Sequence, residues 1–393
     1  MAEPWLSIIG VGEDGPAGLT AASRQALADA EIVFGGRRHL DLLGIDGQDW
    51  PLPFSIDPVL ARRGHKVAVL ASGDPFWHGV GGTFAAVLDP AEWRCFPTPS
   101  TFSRAAAALG WRLEDVVSLG LHAAPMTRLR PVLSRGQRIL CLLRDGKVVG
   151  DLAAYLTATG FGPSQITVLE ALGGPREKQW SIAAEAYETT AISAPVCVAI
   201  TVMGALGLPM SNGLDDHLFQ HDGQITKRPV RALTLSALAP RSGDTLWDIG
   251  CGSGSVSIEF LLSAPATNAH AIEADPTRAA RARANADAFG LAHRFHLTQT
   301  RAPDGLAPLP RPDAVFLGGG ASDPLLTALW PLLPDGTRLV ANAVTLENEA
   351  LLATWAARHG GTLMRIELSQ AEPLGTKRGW HPMRPIVQWS VTK

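Results

Sequence analysis

The segment LWDIGCGSG, residues 246–254, constrains the fold of this chain more than any other part of the sequence. An apolar run ends in the acid Asp248, three glycines follow at alternate positions, and a helical pattern begins at Ser255. Glycine lets a backbone adopt special dihedral angles and approach a ligand closely. A strand, a glycine turn and a helix in this order predict an α/β fold with a Rossmann-like sheet and a ligand at the carboxyl end of the strand.

The acids around this turn indicate which ligand it binds. Glu273 follows Gly254 by about 20 residues, the spacing at which an acid at the end of the next strand accepts ribose hydroxyls. Asp248 lies ahead of the first glycine, where a carboxylate would repel a pyrophosphate and attract a cation. S-adenosyl-L-methionine carries a sulfonium and an ammonium and has no phosphate. The turn therefore favours this cofactor over a nicotinamide dinucleotide, and over a purely structural turn.

A second glycine turn follows the apolar segment at residues 314–317 and consists of Gly318, Gly319 and Gly320. Ligands of this fold lie at the carboxyl ends of the strands, and glycines there leave room for a large flat substrate. The alternative is a plain turn without a binding role.

The chain has 393 residues, of which 46% are hydrophobic and 18% charged, so two globular domains are expected. Apolar strand-like runs alternate with helical patterns in both halves, which favours α/β architecture. The pattern breaks at residues 203–216, where Gly, Pro and Asn-Gly predict turns. We therefore predict domains at 1–205 and 206–393. No run of about 18 apolar residues occurs, so no membrane span is expected.

Individual elements follow from the same patterns. Pro229 suits the first turn of a helix with Thr226 as a possible cap, and Val230, Leu233 and Ala237 would share its buried face. Strands are predicted at Trp5–Ile9, Val67–Leu70, Arg138–Leu143, Ile166–Leu169, Pro195–Val202, Thr245–Ile249, His270–Glu273, Ala314–Leu317, Arg338–Ala341, Met364–Leu368 and Pro385–Val391.

Charge and cysteine content argue against several functional classes. The formal net charge is −3, with 34 Lys and Arg against 37 Asp and Glu, whereas a nucleic-acid-binding protein is normally basic. The four cysteines, Cys95, Cys141, Cys197 and Cys251, form no C-x-x-C pair and show no zinc-ligand spacing. We expect no metal site, no disulfide and a location in the reducing cytoplasm.

Three turns in the N-terminal half each border an apolar element. They are GVG at 10–12, SGDP at 72–75 and PTPSTF at 97–102. Each alone is more typical of a simple turn, but together they predict one cleft. Asp74, an acid after a glycine at a strand end, suits a turn and a ligand amine or ribose equally.

These N-terminal motifs resemble the tetrapyrrole methylases, which have two α/β subdomains with the cofactor in the cleft between them. The sequence departs from that family at Glu13 and Asp14, where a proline usually follows the second glycine, and no cofactor contact is carried onto these two residues. The resemblance implies cofactor contacts at Gly10, Gly12, Gly73, Asp74, Ser100 and Thr101.

The C-terminal half resembles the precorrin C15-methylating, decarboxylating domain, through Thr226–Arg228, the turn at Asp248–Gly254 and Glu273–Asp275. This match is more specific than the N-terminal one. It implies cofactor contacts at Thr226, Asp248, Gly250, Cys251, Gly252, Ser253, Gly254, Glu273, Ala302 and Gly318.

Over its whole length the chain resembles the fused enzymes of cobalamin biosynthesis that methylate precorrin-6Y. The resemblance implies methylation of carbon 5 by the N-terminal half, and methylation of carbon 15 with loss of the ring C acetate carboxyl by the C-terminal half, giving precorrin-8. A homo-oligomer is expected. The rivals are an RNA or protein methyltransferase with a substrate-binding N-terminal domain, and a tetrapyrrole carrier without activity.

The implied substrate carries many carboxylates, so its pockets should offer cationic side chains, although a solvated surface charge is the alternative for each candidate. The helix arginines Arg278, Arg281 and Arg283 are predicted to form a solvated face. The proposed catalytic residues are Lys227, Arg228, Lys377, Arg378 and His381, and further carboxylate-binding candidates are Arg231, Arg37, Arg38, His39 and His122.

Overall fold

The computed structural model describes residues 3–393, which fold into two compact units. The first unit runs to Met126 and continues over Val132–Leu206, and the second consists of Thr127–Pro131 and Gly207–Lys393. The second unit therefore includes a short segment from the first half of the chain. Within the described residues, no helix has both the length and the apolar character needed to cross a bilayer.

The described part of the first unit is built on two β-sheets. Its strands are β1 (Leu6–Val11), β2 (Ile32–Phe34), β3 (Val67–Ser72), β4 (Trp93–Phe96), β5 (Val116–Gly120), β6 (Arg138–Leu143), β7 (Gln165–Glu170), β8 (Lys178–Ala183) and β9 (Val196–Thr201). One sheet is parallel with the order β2-β3-β1-β4. The other has the order β5-β6-β9-β7-β8, and there only β5 and β6 are parallel.

Helices pack around these sheets. They are α1 (Ala21–Ala28), α2 (Arg37–Leu43), α3 (Asp57–Leu60), α4 (Gly81–Ala85), α5 (Thr101–Leu109) and α6 (Val148–Ala158). Helix α5 begins where Oγ of Ser100 accepts a hydrogen bond from the backbone N–H of Ser103 at 3.1 Å, which satisfies a donor of the first turn. Helix α5 therefore starts at a fixed point beside the ends of β1 and β3.

The second unit has one large sheet and a separate hairpin. Its strands are β10 (Thr245–Ile249), β11 (Asn268–Glu273), β12 (Phe295–Gln299), β13 (Ala314–Leu317), β14 (Arg338–Ala343), β15 (Thr362–Ile366), β16 (Ser369–Leu374), β17 (Lys377–Pro382) and β18 (Ile386–Thr392). The large sheet has the order β12-β11-β10-β13-β14-β18-β15, with β18 antiparallel to both neighbours. The order reverses between β10 and β13, which is where ligands bind in such sheets.

Helices cover both faces of the large sheet. They are α7 (Arg228–Leu238), α8 (Ser255–Ser263), α9 (Pro276–Ala288), α10 (Asp323–Leu329) and α11 (Leu346–His359). Side chains alternate along β10: Leu246 packs in the cluster that contains α8 and α9, and Trp247 in the cluster that contains α10 and α11. The same alternation directs Asp248 toward α8.

The structure confirms the predicted α/β fold class, with two sheets in the first unit and a Rossmann-like sheet in the second. It corrects the start of α7, whose N-cap is Lys227 rather than Thr226. Leu233 is 39% exposed, because Arg231 and Thr234 occupy the buried face instead. Apolar periodicity alone could not predict a helix that buries a charged residue.

Candidate functional site

The glycine turn after β10 closes against the end of β11. The backbone N–H groups of Gly250 and Cys251 donate to the carbonyl of Ile272 at 2.8 and 3.1 Å. Gly250, Gly252 and Gly254 have φ values of +72°, +56° and +73°, a region in which L side chains are strained. The path of the turn therefore depends on these three glycines.

Asp248 is the second-last residue of β10, lies beside this turn and is fully buried. Its Oδ2 accepts a hydrogen bond from Oγ of Ser257 at 2.6 Å, while no group among residues 3–393 donates to Oδ1. Burial raises the pKa of Asp248 to about 7, the hydrogen bond from Ser257 opposes the rise, and the charge of Glu273 adds to it. A buried carboxylate oxygen without a partner is costly, and a ligand cation or donor would satisfy it.

Glu273 ends β11 and is 7% exposed. Its Oε2 accepts from the backbone N–H of Gly252, and its Oε1 from that of Asp275, both at 2.9 Å. A carboxylate oxygen can accept two hydrogen bonds. Each oxygen of Glu273 can therefore still accept one from a ribose hydroxyl.

A segment that we call the strap, residues 219–227, runs past the glycine turn. Asn285 on α9 is 1% exposed and joins the two. Its Nδ2 donates to the carbonyls of Gln220 and Ser253, both at 2.9 Å, and its Oδ1 accepts from the N–H of Gln220 at 2.8 Å. The sequence did not reveal the strap, because its link to the glycine turn is the side chain of Asn285, which is one amide within an Ala/Arg-rich helix pattern.

Two arginines of α9 also hold the strap. Arg278 and Arg281 pair with Asp222 at 3.1 and 2.9 Å. Arg283 donates to the carbonyl of Leu297 at 3.2 Å. The prediction of a solvated face therefore holds for Arg283, which is exposed, whereas Arg278 and Arg281 are half-buried and tied to the strap.

The second glycine turn lies against the first. A Cβ on Gly318 would come within 3.1 Å of the carbonyl oxygen of Gly250, whereas Gly319 and Gly320 have nothing within 4 Å. Asn348 donates to the carbonyl of Gly319 at 3.2 Å. The last two glycines therefore border open space. Ala302 packs half-buried against the core cluster on the α10 and α11 face.

The predicted cationic residues fall into separate groups. Lys227 ends the strap, and its Nζ donates to the carbonyl of Gly223 at 3.3 Å, while Arg228 pairs with Asp215. Lys377, Arg378 and His381 lie instead on the exposed hairpin of β16 and β17, a sheet of its own. Nothing among the described hydrogen bonds and ion pairs joins that hairpin to the glycine turn.

Arg231 lies in the interior of the second unit and holds neighbouring segments together. It is fully buried, pairs with Glu259 at 2.5 Å and Asp216 at 2.9 Å, and donates to the carbonyl of Thr226. It is therefore not available to a substrate carboxylate, and that prediction is wrong.

The first unit contains a cavity of about 330 Å³ between its two sheets. The three predicted turns meet there, since Gly12, Gly73, Asp74, Ser100 and Thr101 all line it. Oδ1 of Asp74 accepts from the N–H of Phe76 at 2.9 Å, so Asp74 also forms its own turn.

Gly10 lies just behind this cavity. A Cβ on Gly10 would fall on the carbonyl oxygen of Gly73 and within 2.8 Å of the backbone nitrogen of Thr98. These two atoms are hydrogen-bonded to each other at 3.2 Å. Only a glycine therefore allows the ends of β1 and β3 to approach the loop before α5 so closely.

A charged cluster that sequence reasoning missed lines the same cavity. Glu13 is 6% exposed and pairs with Arg38 and Arg176. Asp14 pairs with Arg104 at 2.6 Å. The two acids that depart from the family pattern thus pair with three arginines, of which Arg38 and Arg104 line the cavity. Only long-range contacts reveal this, since the arginines come from distant parts of the chain.

The other N-terminal candidates differ in their surroundings. Nε2 of His39 lies 2.8 Å from Nη2 of Arg38 and 3.0 Å from Oγ of Ser72, and burial, with Arg38, lowers the pKa of His39 to about 4. Arg37 pairs with Asp41 on the surface. His39 is therefore a neutral imidazole, and Arg37 lies outside the cavity wall.

Two family models match the chain. Residues 6–186 match the family model of the tetrapyrrole (corrin/porphyrin) methylases, and residues 217–393 match that of the precorrin methyltransferase domain. A relative from Sinorhizobium sp. is 48% identical over 403 residues, covering 100% of this chain and 97% of that protein, and is named precorrin-6Y C(5,15)-methyltransferase (decarboxylating). One from Mycobacterium tuberculosis with the same name is 40% identical over 399 residues, 99% of this chain and 100% of that protein.

Among solved structures, the C-terminal domain of precorrin-6Y C5,15-methyltransferase from Rhodobacter capsulatus is 53% identical. It covers 47% of this chain and 100% of its own, with a TM-score of 0.46.

Proposed function

The chain belongs to the precorrin-6Y C(5,15)-methyltransferase (decarboxylating) family, and from this we propose that it methylates precorrin-6Y at carbons 5 and 15 with S-adenosyl-L-methionine and releases the ring C acetate carboxyl as carbon dioxide. The product would be precorrin-8, an intermediate of cobalamin biosynthesis. The match over the whole chain supports this function over an RNA or protein methyltransferase and over an inactive carrier.

One observation carries the cofactor assignment. The carboxylate of Asp248 is buried with an unpartnered Oδ1 next to three glycines of positive φ. That arrangement fits a cofactor with an ammonium and no phosphate, since a phosphate would be repelled. Glu273 would accept the ribose hydroxyls, and the strap would cover the bound cofactor from the side of Gly252.

The bound cofactor supplies an activated methyl group. The chain's own task is mainly to hold donor and ring carbon in line at near contact, which is catalysis by proximity and orientation. Gly319 and Gly320 leave the space for the macrocycle. For the decarboxylation, the conjugated ring can take up the electrons that the departing carboxylate leaves behind.

We assign methylation of carbon 5 to the first unit and methylation of carbon 15 with decarboxylation to the second. The description of the C-terminal match as a precorrin methyltransferase domain supports the second assignment. Arg38 and Arg104, which line the cavity with Glu13, would hold substrate carboxylates in the first unit. In the second unit, we propose that substrate carboxylates are held by the candidates named from the sequence, which are Lys227, Arg228, Lys377, Arg378 and His381.

Two further proposals concern the setting of the enzyme. All four cysteines are free thiols, which supports a place in the reducing cytoplasm. We also propose a homo-oligomer, and sedimentation equilibrium of the full chain tests that proposal.

The full chain incubated with precorrin-6Y and labelled cofactor tests the function. Mass spectrometry should show two methyl groups gained and one carbon dioxide lost. Titration with S-adenosylhomocysteine should find two sites per chain. A product with one methyl group and an intact acetate, or a single cofactor site, would contradict the proposal.

Cofactor affinity of the second unit should depend on pH. Because the pKa of Asp248 is about 7 without ligand and an ammonium favours its charged form, binding must release a proton below that pH. We expect the dissociation constant for S-adenosylhomocysteine to worsen up to about tenfold per pH unit below 7 and to level off above 7. Calorimetry between pH 5.5 and 8.5 measures this, and a flat profile would contradict it.

A further inference from the structure

We propose that His78 and His122 form the proton acceptor of the first unit and take the proton that carbon 5 loses on methylation. This inference rests on the proposed function of that unit. It assigns a chemical task to two imidazoles that neither the glycine turns nor the cofactor require.

The reaction at carbon 5 needs such an acceptor. Carbon 5 is a methine bridge and carries one hydrogen. Ring electrons form the new carbon–carbon bond as the methyl–sulfur bond breaks, so the carbon then bears both a methyl group and its hydrogen. Conjugation returns when the C–H electron pair enters the ring and the proton leaves to a base. Imidazole exchanges protons near neutral pH and is the commonest such base.

The structure places two imidazoles at the cavity. His78 lies in the loop after β3 and His122 just after β5, and both line the cavity together with Gly73 and Asp74. Their ring centroids are 6.4 Å apart, and the rings are inclined at 78°. The two rings therefore lie close enough together on the cavity wall to serve one reacting carbon.

The backbone around the pair favours a functional role. His78 has φ +57°, a conformation that costs a non-glycine residue about 1–3 kcal/mol and that clusters at active sites. Gly120 lies between the rings: a Cβ there would come within 3.0 Å of Nδ1 of His78 and 3.2 Å of Cε1 of His122. Because Gly120 has no side chain, the end of β5 leaves room for both imidazole rings.

The third imidazole of the cavity wall is unsuitable. Burial lowers the pKa of His39 to about 4, and its Nε2 faces Arg38, which can only donate. The proton therefore goes to the other two rings. The charged groups that share the cavity with them, and that will shape their titration, are Asp74, Glu13, Arg38 and Arg104.

The test uses the full chain with His78→Gln and His122→Gln, singly and together. Methylation of carbon 5 is followed by mass spectrometry under saturating cofactor. We expect the double variant to lose about 100-fold or more in kcat for that step, to lose the rise of rate with pH through the imidazole range, and to keep its affinity for S-adenosylhomocysteine. Deuterium at carbon 5 should slow the double variant more than the parent.

His65→Gln is the matched control, because His65 is exposed and pairs with Glu31 at 2.8 Å elsewhere in the same unit. It should change none of these values. A parent-like rate and pH profile in the double variant overturns the inference, and so does a loss of rate that follows a loss of cofactor affinity. If His78→Gln disturbs folding, His78→Asn replaces it in the double variant, because asparagine tolerates the positive φ of this position. A parent enzyme that never methylates carbon 5 would refute the proposed function instead.

Discussion

Asp248→Asn is expected to weaken cofactor binding by the second unit between about 30-fold and 3,000-fold. Neutralising one partner of a buried charge pair costs about 2–5 kcal/mol, and each 1.4 kcal/mol is about tenfold in affinity. The asparagine keeps the shape of the side chain and can still accept from Ser257. Binding by the first unit should not change, so titration with S-adenosylhomocysteine should fall from two sites to one.

The same substitution should stabilise the unliganded protein above neutral pH. The pKa of the buried carboxyl is raised from 3.8 to about 7, so the folded state holds a proton that the unfolded state has released. Stability is therefore lost as pH rises from about 4 to about 7, and asparagine removes that loss. We expect the melting temperature of the variant to exceed that of the parent at pH 8 by a few degrees, and the two to converge near pH 4.5.

The matched control for Asp248→Asn is Asp335→Asn, which removes an exposed carboxylate of the same unit. It should affect neither binding nor melting. If Asp248→Asn bound the cofactor as tightly as the parent, the carboxylate of Asp248 would not be a cofactor contact. If the variant melted at a lower temperature than the parent at pH 8, burial of the charged carboxylate would not be destabilising.

Gly10→Ala is expected to disable the first unit. The added Cβ would fall on the hydrogen bond between the backbones of Thr98 and Gly73, and backbone atoms cannot rotate away as a side chain can. Overpacking costs about 1–3 kcal/mol, and we expect the upper end of that range here because the clash is with backbone, which lowers the melting temperature of a unit of this size by roughly 6–12 °C. Methylation of carbon 5 should disappear while methylation of carbon 15 continues.

Gly82→Ala provides the comparison within the same unit. Gly82 lies in α4, and a Cβ there meets nothing within 4 Å. This variant should be neutral or more stable by up to about 1 kcal/mol. Differential scanning calorimetry and product analysis check both variants. Gly10→Ala with parent-like melting and two methyl transfers would show that the close approach at β1 is not needed.

The sequence predicts best those strands that are apolar runs bounded by turn residues. The predicted bounds of β6, β10 and β13 agree with the structure, because each is an apolar run between turn residues and lies inside a sheet. The hairpin of β16 and β17 was missed because its residues are mostly exposed and mix polar with apolar side chains. An exposed strand has no burial pattern to reveal it.

Some residues of the candidate sites could likewise be predicted from the sequence, and others could not. Asp248 and Glu273 could be found because each lies at or next to the end of a strand beside a glycine turn in the same βαβ unit. Asn285 and Arg176 could not, since their partners Gln220 and Glu13 come from distant parts of the chain. Local sequence carries the chemistry of the cofactor site, and tertiary contacts carry the groups that hold it in place.

The segment Thr127–Pro131, which we call the clip, belongs to the second unit although it lies in the first half of the chain. It bears on how the two units can be produced as separate polypeptides. A Cβ on Gly290 would collide with the carbonyl of Thr127, so this clip sits flush against its unit. If the gene were divided after codon 206, the clip would be part of the polypeptide that carries the first unit. An engineer who wants the two activities as independent catalysts should therefore compare a downstream piece that begins at residue 207 with one that also carries residues 127–131.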